Sequence, residues 1–192
     1  KVILSDPSGK LLNAASKRFK RQKKIEFLQC TLENLPKKIK KGSVDLAIIV
    51  RVVHHINDLD RVFTVVSRLL KKNGYLILEF ANKKNLKAWL SEFFKGNFTF
   101  PIDIFPKDMR SHKSIKKKTL PFLNYHPDII ENKLKEHGFK ILEKRSVSNI
   151  RTRLIKKIFP TSALVSLERH LQKPLSLINF GPSIFLLVQK RG

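Results

Sequence analysis

The stretch Gly42–Phe80, GSVDLAIIVRVVHHINDLDRVFTVVSRLLKKNGYLILEF, constrains what this chain can fold into more than any other part of it. Val44–Val50 is a nearly unbroken apolar run, the pattern of a parallel strand covered on both faces. Leu59–Leu70 then sets Leu59, Val62, Phe63, Val66, Leu69 and Leu70 on one face at helical spacing. Asn57 or Asp58 can cap the start of that helix; Lys71 and Lys72 suit the negative end of its dipole, and Gly74 a left-handed stop. Tyr75–Phe80 is a second apolar strand. Parallel strands joined through a helix cross over right-handedly, so this stretch is one βαβ unit.

Segments on either side extend the alternation. Lys1–Ser5 reads as a short strand with Asp6 at its carboxyl end. After the turn Pro7-Ser8-Gly9, a helix capped by Ser8 runs to about Arg21, with Leu11, Leu12, Ala15 and Phe19 inward. Ile25–Gln29 is a further strand. Beyond the central unit, Lys83–Lys95 has helical periodicity. Residues 96–123 are punctuated by proline and aromatics and carry the cationic tract Lys113–Lys118, which marks an insertion, either a lid over a cleft or a solvated loop. A helix at Asp128–His137 is closed by Gly138, and a strand at Phe139–Ser148 follows. Short helices at Ile150–Ile158 and Ser162–Gln172 and a last strand at Ser183–Lys190 complete the pattern. The alternation predicts an α/β fold: a Rossmann-like, doubly wound, mostly parallel sheet with helices on both faces, in which the last two strands can form an antiparallel edge. The 192 residues are expected to make a single domain, 1–192.

Composition narrows the setting. The lone Cys30 excludes an internal disulfide framework and a cysteine-rich zinc site, and fits a reducing, cytoplasmic compartment. No apolar run reaches the ~20 residues of a membrane span. The net charge of +25, from 40 Lys and Arg against 15 Asp and Glu, attracts nucleic-acid backbones and anionic membrane surfaces, or else is a scatter of solvated lysines.

In doubly wound sheets ligands bind beyond the carboxyl ends of the strands. The residues there are Asp6, Thr31–Glu33, Arg51–His55 and those after Phe80. A carboxylate at such an end can accept two hydroxyl hydrogen bonds from a ribose, or it can simply cap the next helix. No glycine-rich triphosphate cradle is present. His54 and His55, adjacent on an extended backbone, would point to opposite sides and could not share a metal ion; one packed and one lining a cleft is the plainer arrangement.

Five segments in order carry a resemblance: Leu4-Ser5-Asp6-Pro7-Ser8 with Leu11-Leu12; Phe27-Leu28-Gln29-Cys30-Thr31-Leu32-Glu33-Asn34-Leu35-Pro36; Val44-Asp45-Leu46 through Val53-His54-His55-Ile56; Arg68-Leu69-Leu70-Lys71-Lys72-Asn73-Gly74-Tyr75; and Tyr125–Glu143. Together they resemble class I S-adenosylmethionine-dependent methyltransferases, most closely the small-molecule branch that includes the ubiquinone and menaquinone enzymes. Ser146–Arg151 and Gly181–Phe185 look like a less characterised subgroup. The resemblance implies S-adenosylmethionine as cofactor and a small-molecule acceptor. By position, Asp6 matches the acid on the cofactor ribose, and Thr31 stands where the family has an Asp at the adenine. Leu32 follows, where a backbone amide meets the ring. Arg51 falls with the cofactor contacts at the strand end beside the methyl group, where a cation could also bind an acidic substrate or pair with a carboxylate. His54, His55 and Tyr125 are substrate-side candidates. No catalytic base stands out, and no metal is implied.

The family's first strand and its glycine-rich turn have no counterpart in these residues. That strand belongs mid-sheet, between Val2–Ser5 and Val44–Val50, and buried strands without their neighbour leave backbone groups unpaired. The expectation is an N-terminally incomplete fold that binds cofactor poorly. The competing readings are an RNA-directed methyltransferase and a degenerate, cofactor-free binding protein.

Overall fold

A computed structural model describes residues 1–150 and 152–192, so Arg151, the last residue of the Ser146–Arg151 motif, lies outside the described residues. β1 (Val2–Asp6) and β2 (Ile25–Gln29) pair in parallel, from Val2 against Ile25 to Asp6 against Gln29. Between them runs α1 (Gly9–Arg18), whose first turn is capped by the Ser8 hydroxyl accepting the Leu11 N–H at 3.3 Å. The helix stops short of Arg21 because the Gln22 N–H turns back onto the Phe19 carbonyl. A 3-10 turn, Leu32–Lys37, follows β2 and drops Leu32 against the core.

The central unit forms as its pattern dictates. β3 (Val44–Ile49) lies parallel to β4 (Leu70–Ala81), and α2 (Leu59–Leu69) crosses between them. Asp58, not Asn57, is the cap: its carboxylate accepts the Arg61 N–H at 2.9 Å. Val62, Phe63 and Val66 of α2 bury against Ile49, Leu76, Leu78 and Phe80.

Three details differ from expectation. The helix runs straight into β4, with Leu70 already extended, so Lys71 and Lys72 are strand residues; Lys71 pairs with Asp45 at 2.6 Å rather than with the helix dipole. The left-handed residue is Asn73, at φ 61°, not Gly74. Gly74 is instead where β3 approaches so closely that a Cβ would stand 3.0–3.2 Å from the carbonyls of Lys71, Asp45 and Val44. And β3 is not covered on both faces. In register, Leu46 and Ile48 share a face with Tyr75 and Ile77, and Ile48 is 62% exposed.

The main sheet has the order β3-β4-β8-β7. β8 (Ser183–Lys190) runs antiparallel to both neighbours, β4 and β7 (Phe139–Val147). The last two strands thus form the expected antiparallel end of the sheet, with β7 outermost and the reversed strand β8 one place inside it. α5 (Pro127–Glu136), with Pro127 in its first turn and Gly138 at φ 79° just beyond, packs with α2 on the buried face. α6 (Arg153–Ile158) precedes α7 (Thr161–Ser176), which lies against β7. β1 and β2 form a sheet of their own. Among the described residues no strand pairing joins β1 or β2 to the main sheet, so the expected continuous sheet is divided.

Residues 96–123 contain a short ribbon, β5 (Lys107–Asp108) with β6 (Leu123–Asn124), and one turn of helix, α4 (His112–Lys116). Before them, α3 (Leu86–Phe93) is capped by Asn85. Lys83, only 3% exposed, fastens the insertion to the end of β4. Its ammonium donates to the carbonyls of Asp103 and Phe105 at 2.7 and 2.6 Å and pairs with the Asp103 carboxylate at 2.7 Å.

Candidate active site

The candidate residues fall into two groups, each beyond the carboxyl ends of a parallel strand pair. At the end of β1, Asp6 is half-buried, and one of its oxygens accepts the Ser8 N–H at 2.7 Å. The capping role and the ligand role are compatible, because a carboxylate offers about four acceptor positions and this bond takes one. The Gln29 amide donates to the Pro7 carbonyl at 3.2 Å and ties the turn after Asp6 to the end of β2. Beside it opens a depression of about 450 Å³ lined by Pro7, Gln29, Cys30, Thr31, Asn34, Lys37 and Lys38. The Thr31 hydroxyl accepts from the Asn34 amide at 3.1 Å and keeps its own proton to donate. Leu32 opens the 3-10 turn, where N–H groups have no partner inside the turn.

The second group lies at the ends of β3 and β4. Arg51 sits at φ 59°, a left-handed conformation strained for a side-chain-bearing residue, and its N–H donates to Glu79 at 2.8 Å. Glu79 is buried in β4. The histidines are not on extended backbone: Val53–His55 is a 3-10 turn, which sets the two rings side by side with centroids 4.1 Å apart. His54 is buried, with Phe122 at 4.5 Å, while His55 is exposed. Burial holds the His54 pKa below the usual imidazole value; the neighbouring His55 and Arg51 charges act the same way and Glu79 opposes them. His55 Nδ1 lies 2.7 Å from the Pro121 carbonyl. A carbonyl only accepts, so that nitrogen carries the proton and Nε2 is left as the basic, outward atom. Among the described residues no cluster of three or more His, Cys, Asp or Glu could hold a metal.

Tyr125, a substrate-side candidate from the sequence, is 3% exposed, and its hydroxyl donates to the Ile56 carbonyl. Burial pushes its pKa up to about 12. In this place it braces the turn beneath the histidines. Glu79 escaped the sequence reading, and Lys83 fell within the segment after Phe80 without being singled out. A lone acid inside the apolar run Tyr75–Phe80 was the available signal for the first; nothing distinguishes Lys83 from its many lysine neighbours until the insertion is folded over it.

A mixed sheet with one interior reversed strand and polar groups at its carboxyl edge defines a class of fold shared with many solved structures. An S-adenosylmethionine-dependent methyltransferase from Mesorhizobium loti superposes with a TM-score of 0.60 at 16% identity, over 98% of this chain and 80% of that one. A Listeria monocytogenes protein assigned to the same enzymes gives 0.66 at 14%, over 100% and 80%. The 4+2 cyclase SpnF gives 0.63 at 14%, over 100% and 67%, so the fold is not confined to methyl transfer. In sequence, residues 1–78 match the model of a family described as methyltransferase domain. The fold is thus the one found in S-adenosylmethionine-dependent methyltransferases, and the N-terminal two-fifths of the chain is similar in sequence to a methyltransferase domain. No curated protein sequence matches the chain.

Set against S-adenosylmethionine, the ends of β1 and β2 offer an acid with open acceptor positions and, in the depression next to it, the Thr31 hydroxyl as a donor at the start of the 3-10 turn. The sulfonium end finds no glycine cradle here. Of the seven glycines only Gly9 stands in a turn at the end of β1 or β2, and a Cβ there would come within 3.0 Å of the Gln29 side chain.

Proposed function

We propose that this protein transfers a methyl group from S-adenosylmethionine to a small-molecule acceptor, holding the adenosine end at Asp6, Thr31 and Leu32. The observation that carries the reading is that Asp6 ends β1 opposite Gln29 of β2, next to a depression lined by Pro7, Gln29 and Thr31 at the carboxyl ends of the two parallel strands. When bound, the cofactor supplies an electrophilic methyl group. The chain's own contribution is orientation and proton handling. His55 presents Nε2 as an acceptor for the proton of an attacking hydroxyl or amine. Buried His54, its protonation disfavoured, puts little competing charge beside it, and Arg51 adds a cation suited to an acidic acceptor.

Calorimetry with S-adenosylhomocysteine measures the cofactor affinity of the chain. The site itself is tested with Asp6→Asn. Asn keeps an oxygen for the Ser8 N–H but loses the second anionic acceptor, so affinity should fall about tenfold, the worth of roughly 1.5 kcal/mol for a charged hydrogen bond, with the fold intact. An unchanged affinity removes Asp6 from the site. The charge of +25 favours RNA as an alternative acceptor; methyl release that requires RNA and falls steeply with salt would select it.

A further inference from the structure

The insertion between α3 and α5 holds apolar side chains out in water. Phe94 is 83% exposed, Phe98 67%, Ile102 75%, Phe105 74% and Leu120 72%. These are not loose ends that a collapse would bury. Lys83 clamps the Asp103–Phe105 backbone. The His126 ring donates through Nε2 to the Pro101 carbonyl at 3.1 Å, while its Nδ1 caps α5. Glu92 gathers Lys95, Asn97 and Lys107 at 3.0–3.2 Å and so fixes the chain after α3. Phe93 meets Phe98 edge to face at 5.2 Å and Phe94 at 5.8 Å, with Phe94 the outermost of the three.

Cations are interleaved with these side chains. Residues 94–122 contain seven Lys and Arg and two Asp. Both acids are already engaged, Asp103 by Lys83 and Asp108 by Arg110, which leaves Lys113, Lys116, Lys117 and Lys118 around Ile115 and Leu120 as a net positive, apolar-tipped segment.

We infer that this segment docks on the surface of an anionic lipid bilayer, with Phe94, Phe98, Ile102, Phe105 and Leu120 entering the interface and the lysines meeting the headgroups. Charge complementarity selects an anionic partner, and the aliphatic tips select a bilayer over a nucleic acid. A phosphate backbone rewards the lysines but has nothing for Ile102 or Leu120, whereas a headgroup layer accepts aromatic and aliphatic side chains beside cations. Among the described residues no helix is long and apolar enough to cross a membrane, so attachment is to the surface. The inference goes beyond the methyl-transfer reading and does not depend on it, since docking needs neither cofactor nor acceptor.

Co-sedimentation of the full chain with phosphatidylcholine vesicles, with and without about one-third phosphatidylserine, tests it. Binding at least tenfold tighter to the anionic vesicles, with a blue shift of the single tryptophan, Trp89 in α3, is expected. The double substitution Phe98→Ser, Phe105→Ser leaves the charge untouched and should weaken that binding about tenfold. Its far-ultraviolet dichroism reports folding. Should it fail to fold, Lys116→Gln, Lys117→Gln, Lys118→Gln takes its place, against Lys17→Gln, Lys20→Gln, Lys23→Gln as an equal charge loss elsewhere. The insertion set should weaken binding more than the control set. Wild-type binding by the serine variant, equal loss from both lysine sets, or displacement from vesicles by single-stranded RNA with the same affinity for both proteins would each overturn the inference.

Discussion

Replacing Lys83 with Met should release the insertion while leaving the sheet folded. The side chain is 3% exposed, and its ammonium makes two hydrogen bonds to carbonyls and one ion pair, with the Phe100 ring 5.5 Å away. Hydrogen bonds to a charged group are worth about 1.5–3 kcal/mol each, and removing one member of a fully buried pair costs about 3–5 kcal/mol. The partner side is wetter: the Asp103 carboxylate is 44% exposed and can turn to solvent, as can the two carbonyls of the loop. Met also keeps most of the packed aliphatic stem. A net loss of about 3 kcal/mol is therefore expected, concentrated in the contact between the insertion and the end of β4. That is a change of roughly a hundredfold in the opening equilibrium of the segment. Hydrogen exchange reads it directly. The Ile102 and Asp103 amides, both bonded to the Thr99 carbonyl, should lose about a hundredfold of protection, while those of Ile77 and Leu186 in the sheet do not change. Lys87→Met on the exposed side of α3 is the control. Unchanged protection at residues 102 and 103 would refute the view that the buried ammonium holds the insertion in place.

Other consequences are as open to test. Gly74→Ala should cost about 1–3 kcal/mol by urea denaturation, because the new methyl meets three backbone carbonyls at 3.0–3.2 Å and none can swing aside; an Ala variant as stable as the parent would mean that β3 and β4 can separate locally without loss. Lys107, Asn97 and Lys95 hold the Glu92 pKa down to about 2 from 4.5. A carboxyl depressed in the fold stabilises fully above its unfolded value and ceases to do so as pH falls through the folded one. The α3 end of the insertion should therefore loosen between about pH 4.5 and 2, seen as a change in Trp89 emission that Glu92→Gln, already lacking the charge, does not show in that window. Identical titrations of the two proteins would remove Glu92 from this role. Tyr125→Phe should cost about 1 kcal/mol, the net worth of its one hydrogen bond to Ile56, without altering a methyl-transfer rate; a large loss of rate at unchanged stability would return Tyr125 to the chemistry.

The central βαβ unit was legible because each of its signals is local: an apolar run, a 3.6-residue stripe and an acid at the cap. Asp6 and Thr31 were legible for a similar reason, since the carboxyl end of a strand can be located as soon as the strand is. What the sequence hid depends on contacts between distant segments. Whether β3 is covered on one face or two is decided by what packs on Leu46 and Ile48, and their own apolarity is the same in either case. Gly74 looked like a helix stop because glycine serves left-handed turns and close approaches alike, and only the carbonyls of β3 reveal which applies. The histidine pair looked extended because it follows a strand directly, yet the chain turns at Arg51 and makes them neighbours. Lys83 could not be singled out among so many lysines until Asp103 and Phe105, about twenty residues away, had come to rest on it.

The interior position of β8 has a consequence for how this protein is made. Residues 75–81 of β4 pair with residues 183–189, so roughly a hundred residues are synthesised between one half of that ladder and the other. At ~5–20 residues per second the ribosome takes on the order of 5–20 s to deliver the partner. During that interval the growing chain carries Leu76, Leu78 and Phe80 with one strand edge vacant, and β7, already made, belongs one place further out. Direct pairing of β4 with β7 is then the nearest available mistake, and it must be undone or prevented before β8 can enter between them. The nascent protein depends for those seconds on whatever in the cell shields unfinished strands, a demand set by the order of its strands more than by its final stability.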